Sequence, residues 1–113
     1  MQQLRAYVTS NGKSPFLHWL ESLREKEIRH RIKAYLDRLV VGNFSNCKSV
    51  GHGVFELKMN FGPGFRVYFG QVGVEIILLL CGGDKRTQRW DIKKAIDLWK
   101  DYLERKNEGQ NEL

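Results

Sequence analysis

The sequence predicts an α+β fold: a small antiparallel sheet of about four strands, preceded by an amino-terminal two-helix hairpin and closed by a carboxyl-terminal helix. Three observations carry that prediction. Apolar residues recur at helical spacing from Phe16 to Leu39 and again from Ile92 to Leu103. Between those stretches they alternate with period two, at Phe55, Leu57 and Met59 and at Phe65, Val67 and Phe69. Eight of the 11 glycines lie between Gly51 and Gly83, and none of the eight interrupts a helical pattern.

The elements follow in order. Residues 3–8 form a short first strand. Ser14-Pro15 starts a helix of about 10 residues, because serine accepts from free amides and proline fits a first turn that needs no N–H. Phe16, Trp19, Leu20 and Leu23 form its apolar stripe. A second helix carries Ile28, Ile32, Tyr35, Leu36 and Leu39 on one face and Arg29, His30, Lys33, Asp37 and Arg38 on the other, with Gly42 as its stop. Residues 53–59 and 65–69 form a hairpin across the turn formers Asn60-Phe61-Gly62-Pro63-Gly64. Residues 74–81 are apolar on both sides apart from Glu75, the mark of a strand covered on both faces. Ile92, Ala95, Ile96, Trp99 and Leu103 define a last helix over residues 88–106. The 113 residues therefore read as one domain, 1–106, with a disordered tail at 107–113.

Composition narrows the function classes. No apolar run approaches the roughly 20 residues of a membrane span, and the first ten residues hold no apolar signal core. Cys47 and Cys81 are far apart in sequence, which favours a reduced, cytoplasmic protein over a disulfide framework or a zinc knuckle. There is no GxSxG elbow, GxGxxG fingerprint or P-loop. His18, His30 and His52 have no ligand spacing, so neither a metal nor any other cofactor is expected. The net charge is +6, and it is uneven: residues 1–50 carry nine basic and four acidic side chains, residues 91–113 five and six. A basic body favours nucleic acid or an acidic protein as partner.

The hairpin register places Glu56, Lys58 and Arg66 on one polar sheet face, with Lys85 and Arg86 following the last strand and His52 ahead of the first hairpin strand. Arginine offers a planar fork to phosphate oxygens and lysine a point charge. On RNA, whose 2′-hydroxyl already stands beside the phosphate, such a pocket needs only a base, an acid and cations for the phosphorane. Like charges around a lysine favour its uncharged form, which makes Lys58 or Lys85 a candidate base. A solvated sheet face with cross-strand ion pairs fits the same alternation. Trp90 and Trp99 are expected in the core rather than as base-stacking platforms, with Trp90, near the helix start, the weaker case for the core.

The stretches GVFELKMNFGPGFRVYF and LLLCGGDKRTQRWDIKKAIDLW, residues 53–69 and 78–99, resemble the RelE/ParE toxin superfamily, within it the HigB-like addiction-module killer proteins. The resemblance covers nearly the whole chain and implies a RelE-like fold. It implies a toxin that cuts messenger RNA on the translating ribosome without metal and is held by a cognate antitoxin, a helix-turn-helix, HigA-like protein. A ParE-like poison of DNA gyrase is the alternative. Carried over, Arg66 stabilises the phosphate, Lys58 stands where many relatives have arginine, Lys85 matches the Gly-Gly-Asp-Lys lysine, and Phe65 replaces a commoner tyrosine. The general acid is unassigned, with Lys85 and His52 as candidates. Glu56, Tyr68, Arg86, Gln88 and Arg89, together with Arg29, Lys33 and Arg38 of the second helix, are the expected RNA-contacting residues.

Overall fold

A computed structural model describes residues 2–110. In chain order the elements are β1 (Gln3–Ala6), α1 (Pro15–Ser22), α2 (Lys26–Val40), β2 (Cys47–Gly51), β3 (Val54–Lys58), β4 (Arg66–Val72), β5 (Ile76–Gly83), a 3-10 turn (Lys85–Thr87) and α3 (Gln88–Gln110). Ser14 caps α1 by accepting from the Leu17 N–H at 3.3 Å, with Pro15 in the first turn. Gly42 follows α2 in the left-handed region, φ 84°, where its N–H donates to the Leu39 carbonyl at 3.0 Å.

The sheet has five strands in the order β1-β5-β4-β3-β2, and it is sandwiched between helices. Phe16 and Leu20 of α1 and Ile32, Leu36 and Leu39 of α2 bury one face with Leu57, Met59, Phe65, Val67, Phe69, Ile77 and Leu79. Ala95 and Trp99 of α3 bury the other with Val54, Tyr68, Leu78, Leu80 and Cys81. The period-two alternation of β3 and β4 thus separates two cores. β5 is covered on both faces, as its continuous apolar run requires. Two backbone–indole contacts lock the layers: a Cβ on Gly70 would collide with the Trp99 ring, and one on Gly82 with the Trp19 ring.

The α+β class and the order of helices and main strands match the sequence reading; the sheet itself differs in two respects. It is mixed, because β1 pairs parallel to β5 (Gln3↔Ile76 to Ala6↔Leu79). Side-chain alternation carries no information on strand direction, and the intervening chain is long enough for a parallel crossover. A fifth strand, β2, pairs antiparallel with β3 at the far edge. Its sequence, Cys-Lys-Ser-Val-Gly, has no apolar alternation, since an edge strand is held largely by main-chain pairing. α3 also runs to Gln110, past the expected end at 106. With no proline to stop it, an established helix gains a hydrogen bond per added residue. The tail expected from 107 thus begins inside α3, and residues 111–113 lie outside the described residues. No helix among the described residues is long and apolar enough to cross a membrane.

Candidate functional site

Two rows of residues cross the α3-facing side of the sheet. The inner row is Lys48, Glu56, Tyr68 and Cys81; the outer row, at the sheet end, is Lys58, Arg66 and Gly83. A register shift in the β4–β5 pair, where Tyr68 faces Cys81 but Phe69 faces Leu79, inserts Leu80 as an extra residue. Beyond that bulge Gly82 faces Trp19 of α1 and Gly83 faces α3, where a Cβ would collide with Asp91 and crowd Thr87. Glycine at 83 therefore lets the start of α3 descend onto the sheet beside Arg66.

Glu56 is the hub of the inner row and only 1% exposed. Its Oε2 accepts from the Tyr68 hydroxyl at 3.1 Å and from Gln88 Nε2 at 2.8 Å, and lies 3.6 Å from Arg66 Nε. Its Oε1 lies 3.9 Å from the exposed Lys48 ammonium. Arg66, 5% exposed, donates from Nη1 to the Gly64 carbonyl at 2.7 Å. Burial, then the charge and hydrogen bonding of Glu56, push the Tyr68 phenol far above its ordinary pKa, so Tyr68 is purely a donor here. The expected solvated face is thus corrected: Glu56, Arg66 and Tyr68 are roofed by α3, and Gln88 is tied into the buried network. A second, amphipathic face with Val54 and Tyr68 on it calls for a covering helix, and α3 supplies one.

The cations that do reach solvent surround this buried hub. Lys58 is exposed and directly opposite Arg66. Lys85, also exposed, comes in from the turn after β5, where its N–H donates to the Pro63 carbonyl at 3.4 Å. A Cβ on Gly64 would lie 3.2 Å from Arg66 Nη1 and 3.4 Å from Lys85 Cβ, so both side chains meet over that glycine. Asp84 shapes the turn by accepting from the Arg86 N–H at 2.8 Å. Burial raises the Asp84 pKa, but the Arg86 side chain and backbone N–H outweigh it and hold the carboxyl below its ordinary value. Burial raises that of Asp91 despite a 2.5 Å hydrogen bond from Thr87.

Other expected members are elsewhere. His52 sits in the β2–β3 turn with φ 55°, at the opposite end of β3 and six residues from Lys58, roughly 20 Å along an extended strand. It is not brought to the cations, because a residue before the strand cannot reach the strand's far end. Arg29 is half-buried and donates to the Leu23 carbonyl, closing the α1–α2 connection. Lys33 and Arg38 are exposed on α2, in the layer on the other side of the sheet, with Arg38 over the Tyr35 ring at 4.5 Å. The α2 cation beside the hairpin turn is instead Arg31, 4.0 Å from the Phe61 ring centroid, which itself stacks on Tyr35. Trp99 is core as expected, but Trp90 is 70% exposed and stands next to the exposed Arg86 and Arg89.

Among the described residues no three His, Cys, Asp or Glu side chains are grouped to hold a metal ion. Burial pushes the Cys47 thiol up to about 11 and that of Cys81 to about 12. Burial thus favours the protonated thiol of both at neutral pH, which weakens either as a nucleophile. Alkylation at pH 8 is expected to be slow for both in the native protein and fast for both in denaturant, as counted by mass spectrometry.

The model of a family described as phage-derived protein Gp49-like matches residues 18–103. That span runs from α1 into α3 and contains Glu56, Lys58, Arg66, Lys85 and Gln88. An uncharacterised protein of Haemophilus influenzae is 45% identical over 80 residues, covering 71% of this chain and 81% of that relative.

Proposed function

The chain belongs to the phage-derived Gp49-like family, and on that premise we propose that it is the toxin of a HigB-like toxin–antitoxin pair, an endoribonuclease that cuts messenger RNA on the ribosome. The observation that carries this reading is the convergence of Lys58, Arg66 and Lys85 at one end of the sheet. Arg66 is already paired with Glu56, but the exposed ammonium groups of Lys58 and Lys85 beside it have no carboxylate partner among the described residues, and a phosphodiester is the anion that their spread and chemistry suit.

In this reading Arg66 supplies fixed charge. Glu56 and the Gly64 carbonyl hold its guanidinium in place, so little reorganisation is needed as charge develops on the phosphorane. The exposed Lys58 and Lys85 approach from β3 and from the turn after β5, on either side of it. One, in its neutral amine form, takes the 2′-hydroxyl proton as the 2′-oxygen attacks phosphorus, and the other, as an ammonium, gives its proton to the departing 5′-oxygen. The products are a 2′,3′-cyclic phosphate and a 5′-hydroxyl. A helix-turn-helix antitoxin completes the pair.

The test is induction of the protein with transcript 5′-ends mapped beside an assay of DNA supercoiling. New 5′-hydroxyl ends inside translated frames, whose formation survives EDTA, are expected. Unbroken transcripts with altered supercoiling would replace this reading with gyrase poisoning. Magnesium-dependent 5′-phosphate ends would turn attention to Glu56, Asp84 and Asp91.

A further inference from the structure

Resting on the ribonuclease reading above, we propose that Trp90 is a base-stacking platform on a track for single-stranded RNA that runs from Lys85 along the first turns of α3. An indole that is 70% exposed leaves most of its ring in water, where a flat aromatic face with a polar N–H can be used for contact. Of its four neighbours at helical spacing three are cations, Arg86 and Lys94 four residues to either side and Lys93 three residues on, the fourth being Thr87; Arg89 is adjacent in sequence, and all four cations are exposed. Two of the nearby carboxylates are turned to other partners. Asp91 turns inward to accept from Thr87 at 2.5 Å, and Asp84 caps the preceding turn. Arg86 pairs with Asp84 at 3.3 Å, but its own side chain is 84% exposed.

The track has a built receptacle. Trp90, Lys93, Lys94 and Leu98 line a groove of about 530 Å³ whose other wall is the loop residues Thr9, Ser10 and Asn11. A base lying on the indole would find an apolar floor in Leu98 and hydroxyl and amide groups opposite, with lysines for the flanking phosphates. Asp97 and Asp101 lie in the same groove, one and two turns beyond Lys93, and there repel a backbone, which limits the track to the first turns of α3. Trp90 is five residues beyond Lys85, roughly 9 Å along the axis, so the stacked nucleotide neighbours the phosphate held by Lys58, Arg66 and Lys85. Cations interleaved with an exposed aromatic ring suit unpaired nucleotides, whose base faces are free, and suit a duplex poorly. It is the exposed ring among the cations that favours RNA over an acidic protein here, since a protein carboxylate has no use for a stacking face.

Binding of a fluorescein-labelled oligoadenylate and of a duplex RNA is measured by anisotropy for the full chain and for Trp90→Ala, Trp90→Phe and Lys93→Ala/Lys94→Ala. Trp90→Ala is expected to weaken single-strand binding roughly tenfold to a hundredfold, Trp90→Phe to restore most of it, and duplex binding to change little. The double lysine variant should flatten the log affinity against log salt slope by roughly 1.4, at about 0.7 per lost contact. Unchanged oligoadenylate affinity in Trp90→Ala, with transcripts still cut by the wild-type protein, overturns the platform and leaves the ribonuclease reading standing. Loss of antitoxin capture in Trp90→Ala with RNA binding intact makes the surface a protein-docking site and overturns it likewise. Wild-type protein that neither binds RNA nor cuts transcripts overturns both.

Discussion

Replacing Lys85 by alanine is expected to slow transcript cleavage by roughly 10²–10⁴-fold, the usual contribution of a positioned general acid or base. The fold should hardly notice. Lys85 is exposed and forms no ion pair among the described residues, so the change costs at most about 0.5 kcal/mol, roughly 2–4 °C in Tm. Lys58→Ala should behave alike. Cleavage on programmed ribosomes, followed by primer extension beside a thermal melt, reads both quantities. Undiminished cutting by the folded Lys58→Ala/Lys85→Ala protein would end the case for this pocket.

Arg66 needs a different test, because its removal should damage the fold as well as the chemistry. Glu56 and Arg66 are 1% and 5% exposed and face each other at 3.6 Å. Glu56→Leu is expected to cost about 3–5 kcal/mol, since it leaves a guanidinium buried with only the Gly64 carbonyl, and Arg66→Ala a similar amount. That corresponds to a fall in Tm on the order of 10–20 °C. Glu56→Leu/Arg66→Met should recover part of the loss, because no lone charge remains. Recovery stays incomplete, since the Tyr68 hydroxyl and Gln88 amide then lack their acceptor, at about 1–3 kcal/mol for the buried hydroxyl. Calorimetry on the three variants checks this. Single variants as stable as the wild type would show that the pair does not hold the sheet end together. A loss of toxicity in Arg66→Ala alone therefore says little about RNA.

The local rules of the chain were legible. Ser14-Pro15, the stripe from Ile28 to Leu39, and the alternation through Leu57 and Val67 each reflect a period that a helix or a strand must obey, and the structure follows them. The convergence of Lys58 with Arg66 was legible too, because hairpin register sets cross-strand neighbours. The roof over them was not. Glu56 and Arg66 read as solvated because charged residues are rarely fully buried, and only the packing of Ala95 and Trp99 onto Tyr68 reveals that they are. The bulge at Leu80, which turns Gly83 towards α3, leaves no mark in an unbroken run of Ile and Leu. The exposure of Trp90 has the same origin: an aromatic residue between arginine and aspartate shows which side of a helix it occupies only once the inward side is known.

Among the described residues β1 pairs only with residues 76–79, some 73 positions later in the chain. During synthesis at about 5–20 residues per second it waits roughly 4–15 s before that partner has been made. Such long-range pairing slows folding, because a large loop must close before the contact is gained. Lys85 follows β5 directly, so the cationic end of the sheet and the edge that receives β1 are completed in the same interval. On the ribonuclease reading, a nascent chain therefore has no assembled pocket until residues 76–85 have been made. If that reading holds, inhibition after induction should lag by at least the time needed to make and fold the chain through Lys85.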